Sequence, residues 1–215
     1  MTTVAILPVK RFELAKQRLG DALDAEARRA LARAMVIDVL DALQRVEGLG
    51  HVLVVTATDD VAALAQERGA EVVDDADDAG QSAAALQALA RAGQLGATTA
   101  LLVPGDCPAL DPDEVTALLE GGRAGPSVTI VPDRHGTGTN ALLLAPPDAI
   151  VPAFGPGSFE RHVTAARAAG IEPAVANPLT LLLDVDTGDD LDALRARLAE
   201  NPAGARQTRA VLDSL

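Results

Sequence analysis

Short apolar runs alternate with helical patterns along residues 1–120, and this order restricts the possible folds more than any other feature of the sequence. Strands are predicted at residues 4–9, 51–57, 70–74 and 98–104, and helices at residues 24–46, 61–68, 81–92 and directly after Asp111. Repeated strand–helix–strand units form a mostly parallel sheet with helices on both faces. The strands show little polar alternation, as expected for strands buried on both sides. The pattern therefore predicts an α/β fold.

The second half of the chain is less regular but continues the same kind of pattern. Strands are predicted at residues 127–131, 140–144 and 181–186, and helices at residues 158–169 and 189–198. The sequence shows no repeat, low-complexity segment or linker. A chain of 215 residues is long enough to bury one core of its own. We therefore expect a single domain over residues 1–215.

Composition excludes several classes of function. The net charge is −13, so a basic nucleic-acid surface is not expected. Three Phe and no Tyr or Trp exclude an aromatic stacking platform for single strands. No apolar run approaches the roughly 20 residues that a membrane span needs. The single Cys107 cannot form an internal disulfide and fits a reducing compartment, so we expect a cytoplasmic protein without membrane or nucleic-acid partners.

The densest basic cluster of this acidic chain follows the first predicted strand. Lys10, Arg11, Lys16 and Arg18 lie in the segment KRFELAKQRL. Open parallel sheets bind ligands at the carboxyl ends of their strands, where four cations suit a polyphosphate. The alternative is a loop whose charges point into water. A dinucleotide fingerprint or a P-loop would need glycines that this segment lacks, so neither is predicted.

Acidic residues follow two other predicted strands and suggest a metal site. Asp106 lies in the turn PGDCP, and Asp184 and Asp186 are spaced to point to one side of an extended chain. Mg²⁺ prefers one or two such carboxylates together with substrate phosphates. The alternatives are a turn-forming Asp106 and an Asp186 that caps the following helix. Cys107 is either a nucleophile or, as small buried thiols more often are, a packing residue.

Two segments rich in Gly, Ser and Thr offer neutral donors to an anion. Gly138 and Thr139 lie in the loop PDRHGTGTN, and Gly155 and Ser158 lie in FGPGS before a predicted helix, whose N-terminus favours negative charge. A plain hairpin turn and an N-cap serine are the alternatives. We expect the acidic segment at residues 74–78 to be a solvated loop. The three histidines lack metal-ligand spacing and are interpreted as structural or surface residues, namely His51, His135 and His162.

Five segments, taken in order, resemble the 2-phospho-L-lactate/phosphoenolpyruvate guanylyltransferase family of coenzyme F-420 biosynthesis. They are VKRFELAKQRL, PGDCPAL, DRHGTGTNALLL, FGPGSFERH and LDVDTGDDL. The resemblance covers nearly the whole chain and implies a single-domain, nucleotidyltransferase-like (Rossmann-like) α/β fold. It implies transfer of GMP from GTP to a phosphorylated three-carbon acid, with release of pyrophosphate. The implied roles are Mg²⁺ ligands for Asp106, Asp184 and Asp186, phosphate contacts for Lys10, Lys16 and Arg18, and acceptor contacts for Thr139, Gly155 and Ser158. Gly138, beside Thr139, is expected to let the acceptor approach because it has no side chain.

Other activities remain open at this level. Molybdenum-cofactor guanylyltransferases and sugar-phosphate nucleotidyltransferases share the fold, but their Gly-rich loop after the first strand is absent from LPVKRFELAK. An inactive nucleotide-sensing module is expected to have lost one of the three acids, and all are present. The acceptor is expected to be phosphoenolpyruvate or 3-phospho-D-glycerate rather than 2-phospho-L-lactate, and the residues that read guanine are not assigned. A homodimer is expected, because symmetric dimers are the commonest assembly.

Overall fold

A computed structural model describes residues 2–75, 80–121, 125–201 and 204–215. Within these ranges the strands form one seven-stranded sheet in the order β3-β2-β1-β4-β6-β5-β7. The strands are β1 (Thr3–Pro8), β2 (Leu49–Thr56), β3 (Glu71–Asp74), β4 (Thr99–Leu102), β5 (Ser127–Pro132), β6 (Thr139–Ala145) and β7 (Ala174–Val175). All neighbouring pairs are parallel except the two that include β6. The predicted mostly parallel sheet is confirmed.

Helices fill both faces of this sheet and continue beyond it to the end of the chain. They are α1 (Ala25–Leu43), α2 (Asp59–Glu67), α3 (Gln81–Gln94), α4 (Pro112–Glu120), α5 (Ser158–Ala168), α6 (Gly188–Glu200) and α7 (Arg206–Leu212), with 3₁₀ turns at Phe12–Leu14 and Gln17–Leu19. None of the helices in the described ranges combines the length and the apolar character that crossing a membrane requires.

One predicted strand is wrong, and two short elements were missed. Residues 181–186 form no strand: Leu181 and Val185 are buried, but their N–H groups donate to the carbonyls of Pro178 and Asp106, at 3.1 Å each, instead of to a sheet neighbour. The two-residue β7 and the terminal α7 were not predicted. At the start of α2 the capping position belongs to Thr58, and Asp59 and Asp60 lie in the first turn.

The antiparallel strand β6 brings its own beginning to the ligand-binding edge of the sheet. Leu102 of β4 pairs with Leu142 of β6, and Ala100 pairs with Leu144. Residues before Leu142 therefore lie level with the residues that follow β4. Thr139 and Asn140, at the start of β6, consequently lie at the same edge of the sheet as the turn that carries Asp106.

The two faces of the sheet bury separate hydrophobic clusters. On β1, Ala5 and Leu7 pack with α1, α2 and α4, whereas Val4 and Ile6 pack with α3 and α5. This division follows from the two-residue alternation of side chains along a strand. Because both faces are apolar, polar groups concentrate at the strand ends, where the site lies.

A third, smaller cluster supports the loop after β1. Leu19 and Leu23 of that loop pack against Leu31 and Met35 of α1 and against Val185 and residues of α6. The terminal helix α7 packs on α1 beside this cluster. The buried carboxylate of Asp38 in α1 accepts the first N–H groups of α7, from Gln207 at 3.0 Å and from Thr208 at 2.7 Å.

We predict that Asp38→Ala lowers the free energy of unfolding by about 1–3 kcal/mol, because two N–H groups in the first turn of α7, that of Thr208 buried, lose a charged acceptor. Urea denaturation followed by circular dichroism measures the change. Asp41→Ala is the matched control, since Asp41 lies on the same helix and pairs with Arg68 at a partly exposed position. An Asp38→Ala effect no larger than that of the control would contradict the assigned cap.

Candidate active site

The ammonium of Lys16 lies between two of the carboxylates that the sequence singled out. It donates to Asp106 and, at 2.9 Å, to Oδ1 of Asp186. Lys16 adopts the left-handed conformation, with φ of 57°, which is unfavourable for a side-chain-bearing residue. Its side chain is only 8% exposed. Arg18 is mostly exposed and lies 3.8 Å from Asp186 Oδ2.

Charge is unevenly balanced in this cluster. Burial alone would lower the pKa of Lys16, but the carboxylates of Asp106 and Asp186 outweigh burial and raise that pKa above its ordinary value. Burial, followed by the charge of Asp106, raises the pKa of Asp184 to about 6. Oδ1 of Asp106 is buried and accepts no hydrogen bond from the described residues. The cluster can therefore take up more positive charge than Lys16 supplies.

The turn that carries Asp184 and Asp186 is fixed by one backbone contact and one side-chain contact. The N–H of Val185 donates to the carbonyl of Asp106 at 3.1 Å, and Asn140 Nδ2 donates to Asp184 Oδ1 at 3.2 Å. A capping box formed by Thr187 and Asp190 starts α6 directly after Asp186. Helix capping is therefore done by Thr187, and the Asp186 carboxylate is left for the site.

The carboxylate set fits a hard cation in its chemistry but not in a ready arrangement. Asp106, Asp184 and Asp186 supply oxygen ligands, and Asp106 Oδ1 has spare acceptor capacity. Across the described ranges, however, no three Asp, Glu, His or Cys side chains are grouped to hold a metal ion as they stand. The Lys16 ammonium lies between two of the three acids. The Mg²⁺ site thus stays a prediction.

A cavity of about 260 Å³ opens beside this cluster. Both Lys10 and Lys16 line it, together with Asp106 and the N-terminal residues of α3. Its apolar walls come from α1, β2, α3 and the segment after β1: Val9, Phe12, Ala15, Ala32, Met35, Val36, Val55 and Ala84. An apolar slot that ends in cations and carboxylates suits a flat ring joined to a polyphosphate.

The expectation that residues 74–78 form a solvated acidic loop is wrong for Asp75. It follows β3, is only 6% exposed and lines the cavity, and its N–H donates to the carbonyl of Thr56 at 3.0 Å. Asp74 beside it is exposed as expected. Residues 76–78 lie outside the described ranges. The buried carboxylate was missed because Asp75 stands within a run of acids that has no apolar pattern.

The loop between β5 and β6 is organised by its own Asp133. That carboxylate accepts from the N–H groups of His135 at 3.1 Å, Thr137 at 2.9 Å and Gly138 at 2.9 Å. A Cβ at Gly138 would lie 2.6 Å from Asp133 Oδ2. The structure thus explains this glycine by contact with Asp133. The sequence analysis gave Gly138 the different role of leaving space for a bound acceptor, and its N–H is already donated to Asp133.

Segment 153–158 is held open by Arg161, a residue that the sequence reading did not single out. Its guanidinium donates to the carbonyls of residues 153–156, at distances from 2.5 to 3.2 Å. Gly155 and Gly157 adopt positive φ, as glycine allows. The N–H of the buried Ser158 donates to Gly155 O at 3.0 Å, so at Ser158 only the hydroxyl remains for a ligand.

His162 is part of this region, whereas the sequence gave it no more than a structural or surface role. It is fully buried, and Nδ1 lies 3.0 Å from Thr139 Oγ1. The N–H of Ala153 donates to Nε2 at 2.9 Å. Its position in the second turn of α5 gives no signal of this contact in the sequence.

The remaining sequence candidates lie apart from the cluster or are closed to reaction. Cys107 is buried, and burial raises the pKa of its thiol well above the ordinary value, as fits a packing residue. His51 and His135 are exposed. Lys10 is exposed at the mouth of the cavity and is not part of the ion-pair cluster.

Burial, followed by the charge of Arg161, lowers the pKa of His162 to about 4, and this predicts a pH-dependent stability. The unfolded histidine titrates near 6.5, so its contribution is fully present above that pH and is lost as pH falls towards 4. We expect His162→Gln, which cannot titrate, to lose about 2 kcal/mol less unfolding free energy than wild type between pH 7 and pH 5. Urea denaturation at both pH values measures this, and equal losses would refute it.

Solved structures with the same fold include proteins named as nucleotide-handling transferases. A candidate nucleotide-diphospho-sugar transferase of Desulfovibrio desulfuricans G20 superposes with a TM-score of 0.81 at 20% identity, covering 100% of this chain and 95% of that one. A nucleotidyl transferase from Methanothermobacter thermautotrophicus gives a TM-score of 0.64 at 19% identity, covering 93% and 98%. These likenesses show that the fold is nucleotidyltransferase-like.

Comparison with sequence relatives identifies the family within this fold. The phosphoenolpyruvate guanylyltransferase of Conexibacter woesei is 50% identical over 100% of this chain and 97% of its own length. The 2-phospho-L-lactate guanylyltransferase of Methanothermobacter thermautotrophicus is 34% identical over 89% and 83%. Residues 3–197 match the family described as "Guanylyl transferase CofC like". The chain therefore belongs to the CofC-like guanylyl transferase family.

Proposed function

We propose that the protein transfers GMP from GTP to a phosphorylated three-carbon acid, with phosphoenolpyruvate as the preferred acceptor, and releases pyrophosphate. The observation that carries the proposal is the cluster of Lys16, Asp106 and Asp186, which lies beside an apolar cavity; the start of β6 adjoins the third acid through the contact of Asn140 with Asp184. One side suits a nucleoside triphosphate and the other a small phosphorylated acid.

The reaction forms one bond and breaks one. An oxygen of the acceptor phosphate attacks the α-phosphorus of GTP, and the bond from that phosphorus to the oxygen bridging to the β-phosphate breaks. Pyrophosphate leaves with the bonding electrons. The attacking oxygen is already anionic, so no strong general base is needed. Catalysis then depends on positioning two anions and neutralising the charge on the phosphates.

Cations and acids divide this task. Lys16 and Arg18, with Lys10 at the cavity mouth, neutralise the triphosphate. Mg²⁺ would be held by Asp106, Asp184 and Asp186 and, when bound, would screen the phosphate charges. In the protein alone, Lys16 neutralises part of the same carboxylate charge. The ammonium thus keeps Asp106 and Asp186 together before a substrate arrives.

The acceptor is assigned to the start of β6 and the start of α5. Thr139 and Ser158 offer hydroxyls, and Gly155 lets the backbone approach closely. Gly138 contributes by allowing Asp133 to shape the loop that leads into Thr139. Asn140, the next residue, contacts Asp184, so this half-site adjoins the acids.

Asp75 is the group best placed to read the base. Guanine presents its N1–H and its amino group on one edge, and a carboxylate accepts from both. Adenine presents no such pair. A buried carboxylate on the wall of an apolar cavity therefore favours guanine.

The choice of acceptor rests on the relatives. The relative that is 50% identical is named for phosphoenolpyruvate, and the one named for 2-phospho-L-lactate is 34% identical. 2-Phospho-L-lactate and 3-phospho-D-glycerate are the alternative acceptors, and the route would be coenzyme F-420 biosynthesis. Molybdenum-cofactor and sugar-phosphate transfer fit less well, since the segment after β1 lacks their glycines. A homodimer stays a prediction.

The proposal is tested by incubating the protein with GTP, Mg²⁺ and each acceptor in turn. We expect pyrophosphate release only when an acceptor is present, fastest with phosphoenolpyruvate. Mass spectrometry should find the acceptor joined to GMP through a diphosphate. Faster turnover with either other acid would correct the acceptor. Turnover with none of the three, but with a molybdenum-cofactor precursor or a sugar phosphate, would overturn the proposal.

In the same assay we predict that Asp106→Asn lowers turnover by roughly 10³-fold, the scale of losing a main electrostatic stabiliser. The fold should persist, because Asp106 lies at the edge of the sheet. Asp113→Asn is the control, since that acid starts α4 outside the cluster. Near-normal turnover of Asp106→Asn at saturating Mg²⁺ would remove Asp106 from the mechanism.

For the base, we predict that Asp75→Asn lowers kcat/KM for GTP at least tenfold and raises it for XTP. The amide can donate to the C2 carbonyl of xanthine and accept from its N1–H, whereas it donates towards the amino group of guanine. Competition assays with both nucleotides measure the ratio. Asp74→Asn is the matched control at the exposed neighbouring position. An unchanged ratio in Asp75→Asn would show that another group reads the base.

A further inference from the structure

We infer that His162 is a positioning residue for the phosphorylated acid that accepts GMP. Its ring donates a hydrogen bond to the oxygen of the Thr139 hydroxyl, so that the hydroxyl proton is directed to the bound anion. The inference deepens the proposed function and rests on it. It is carried by two hydrogen bonds that together fix which ring nitrogen holds a proton.

The first bond fixes Nε2. The main-chain N–H of Ala153 lies 2.9 Å from Nε2 of His162, and an amide N–H can only donate. Nε2 must therefore accept and carries no proton. A neutral imidazole has one N–H, so the proton is on Nδ1.

The second bond then has only one direction. Nδ1 lies 3.0 Å from Oγ1 of Thr139, and since Nδ1 holds the proton, the hydroxyl accepts. A hydroxyl has a single proton, and none is needed for this contact. The Thr139 proton is consequently available to a third group at the start of β6.

The surroundings keep the ring neutral and in place. His162 is fully buried, and the edge of its ring meets Phe154, with ring centroids 5.2 Å apart. The neighbouring Arg161 guanidinium, which binds the carbonyls of residues 153–156, adds positive charge nearby. Both features disfavour an imidazolium, which would have to donate at Nε2 towards another donor.

The same ring also joins the two parts of the acceptor half-site. Ala153 begins the segment that contains Gly155 and ends at Ser158, and Thr139 begins β6. The loop between β5 and β6 has a second contact with α5: the N–H of Phe159 donates to Thr137 O at 3.2 Å. His162 therefore sets both the distance between the two parts and the direction in which one hydroxyl donates.

Two substitutions separate these effects. His162→Gln places a carbonyl oxygen near the position of Nε2 and keeps an acceptor for Ala153, but it has no N–H at the position of Nδ1. His162→Asn places an amide N–H near Nδ1 and lacks the acceptor at Nε2. A purely structural ring predicts the larger loss in the Asn variant. Control of the hydroxyl predicts the larger loss in the Gln variant.

The test is a double-mutant cycle with Thr139→Val, measuring KM and kcat for phosphoenolpyruvate and KM for GTP. We expect His162→Gln to raise the acceptor KM about tenfold, on the scale of one hydrogen bond to a charged group, with KM for GTP within twofold of wild type. His162→Asn should raise it no more than about threefold. In the Thr139→Val background, His162→Gln should add less than twofold.

An equal effect of His162→Gln with and without Thr139 would overturn the inference, because the ring would then act only through segment 153–158. Nitrogen-15 NMR of the ring in the substrate-free protein gives an independent reading. A proton on Nδ1 is expected, and a proton on Nε2 would also overturn the inference. Since the NMR reading needs no turnover, it separates an error in the tautomer from an error in the proposed reaction.

Discussion

Three carboxylates brought together in a chain of net charge −13 require a cation, and the rest of the site depends on that requirement. Lys16 supplies this cation by contacting Asp106 and Asp186, which lie 90 and 170 positions further along the chain. The loop after β1, the turn after β4 and the turn before α6 are therefore positioned by one ammonium. Removing its charge would leave the partly exposed carboxylates of Asp106 and Asp186 facing each other without a cation between them.

The hydrophobic packing makes this arrangement possible. Lys16 is held in a left-handed conformation, which costs about 1 kcal/mol or more and persists only where the surroundings impose it. Leu19 and Leu23, just beyond it, pack against the same cluster as Val185, between Asp184 and Asp186. Apolar contacts thus place both ends of the ion pair, and the ion pair in turn fixes the direction of the polar groups.

The sequence predicted the parts of the fold that local pattern encodes. Buried apolar runs located β1, β2 and β4, and the helix after Asp111 was predicted at a place where the cap is local: the Asp111 side chain accepts from the N–H of Asp113, two residues away. The cap of α7 could not be found in this way, since Asp38 lies 169 residues from Gln207. Residues 181–186 misled for a related reason: they are buried like a strand, but their hydrogen bonds go to turns and to Asn140.

The predictions about the site also succeeded where the signal is local and failed where it depends on distant residues. The acids and Lys16 followed from their positions after predicted strands and from a family resemblance, and the structure brings Lys16 together with Asp106 and Asp186. The burial of Asp75 and the contacts of His162 and Arg161 depend on elements that meet only in the folded chain. Residue type alone does not show which nitrogen of an imidazole faces which neighbour.

The start of β6 restricts how the length of the loop before it can change. Thr139 contacts His162 on the α5 side of the sheet, and Asn140 contacts Asp184 and Leu181 on the other. The pairing of β5 with β6 is irregular here: Val131 pairs with Ala141 and Pro132 with Thr139, which leaves Asn140 as an extra residue on β6. Without this extra residue, the alternation of side chains along the strand would exchange the faces of Thr139 and Asn140. Relatives with loops of other lengths can keep both contacts only if β6 enters the sheet at the same residue. Length changes in this loop must therefore be absorbed before Thr139, whereas substitutions within it are far less restricted.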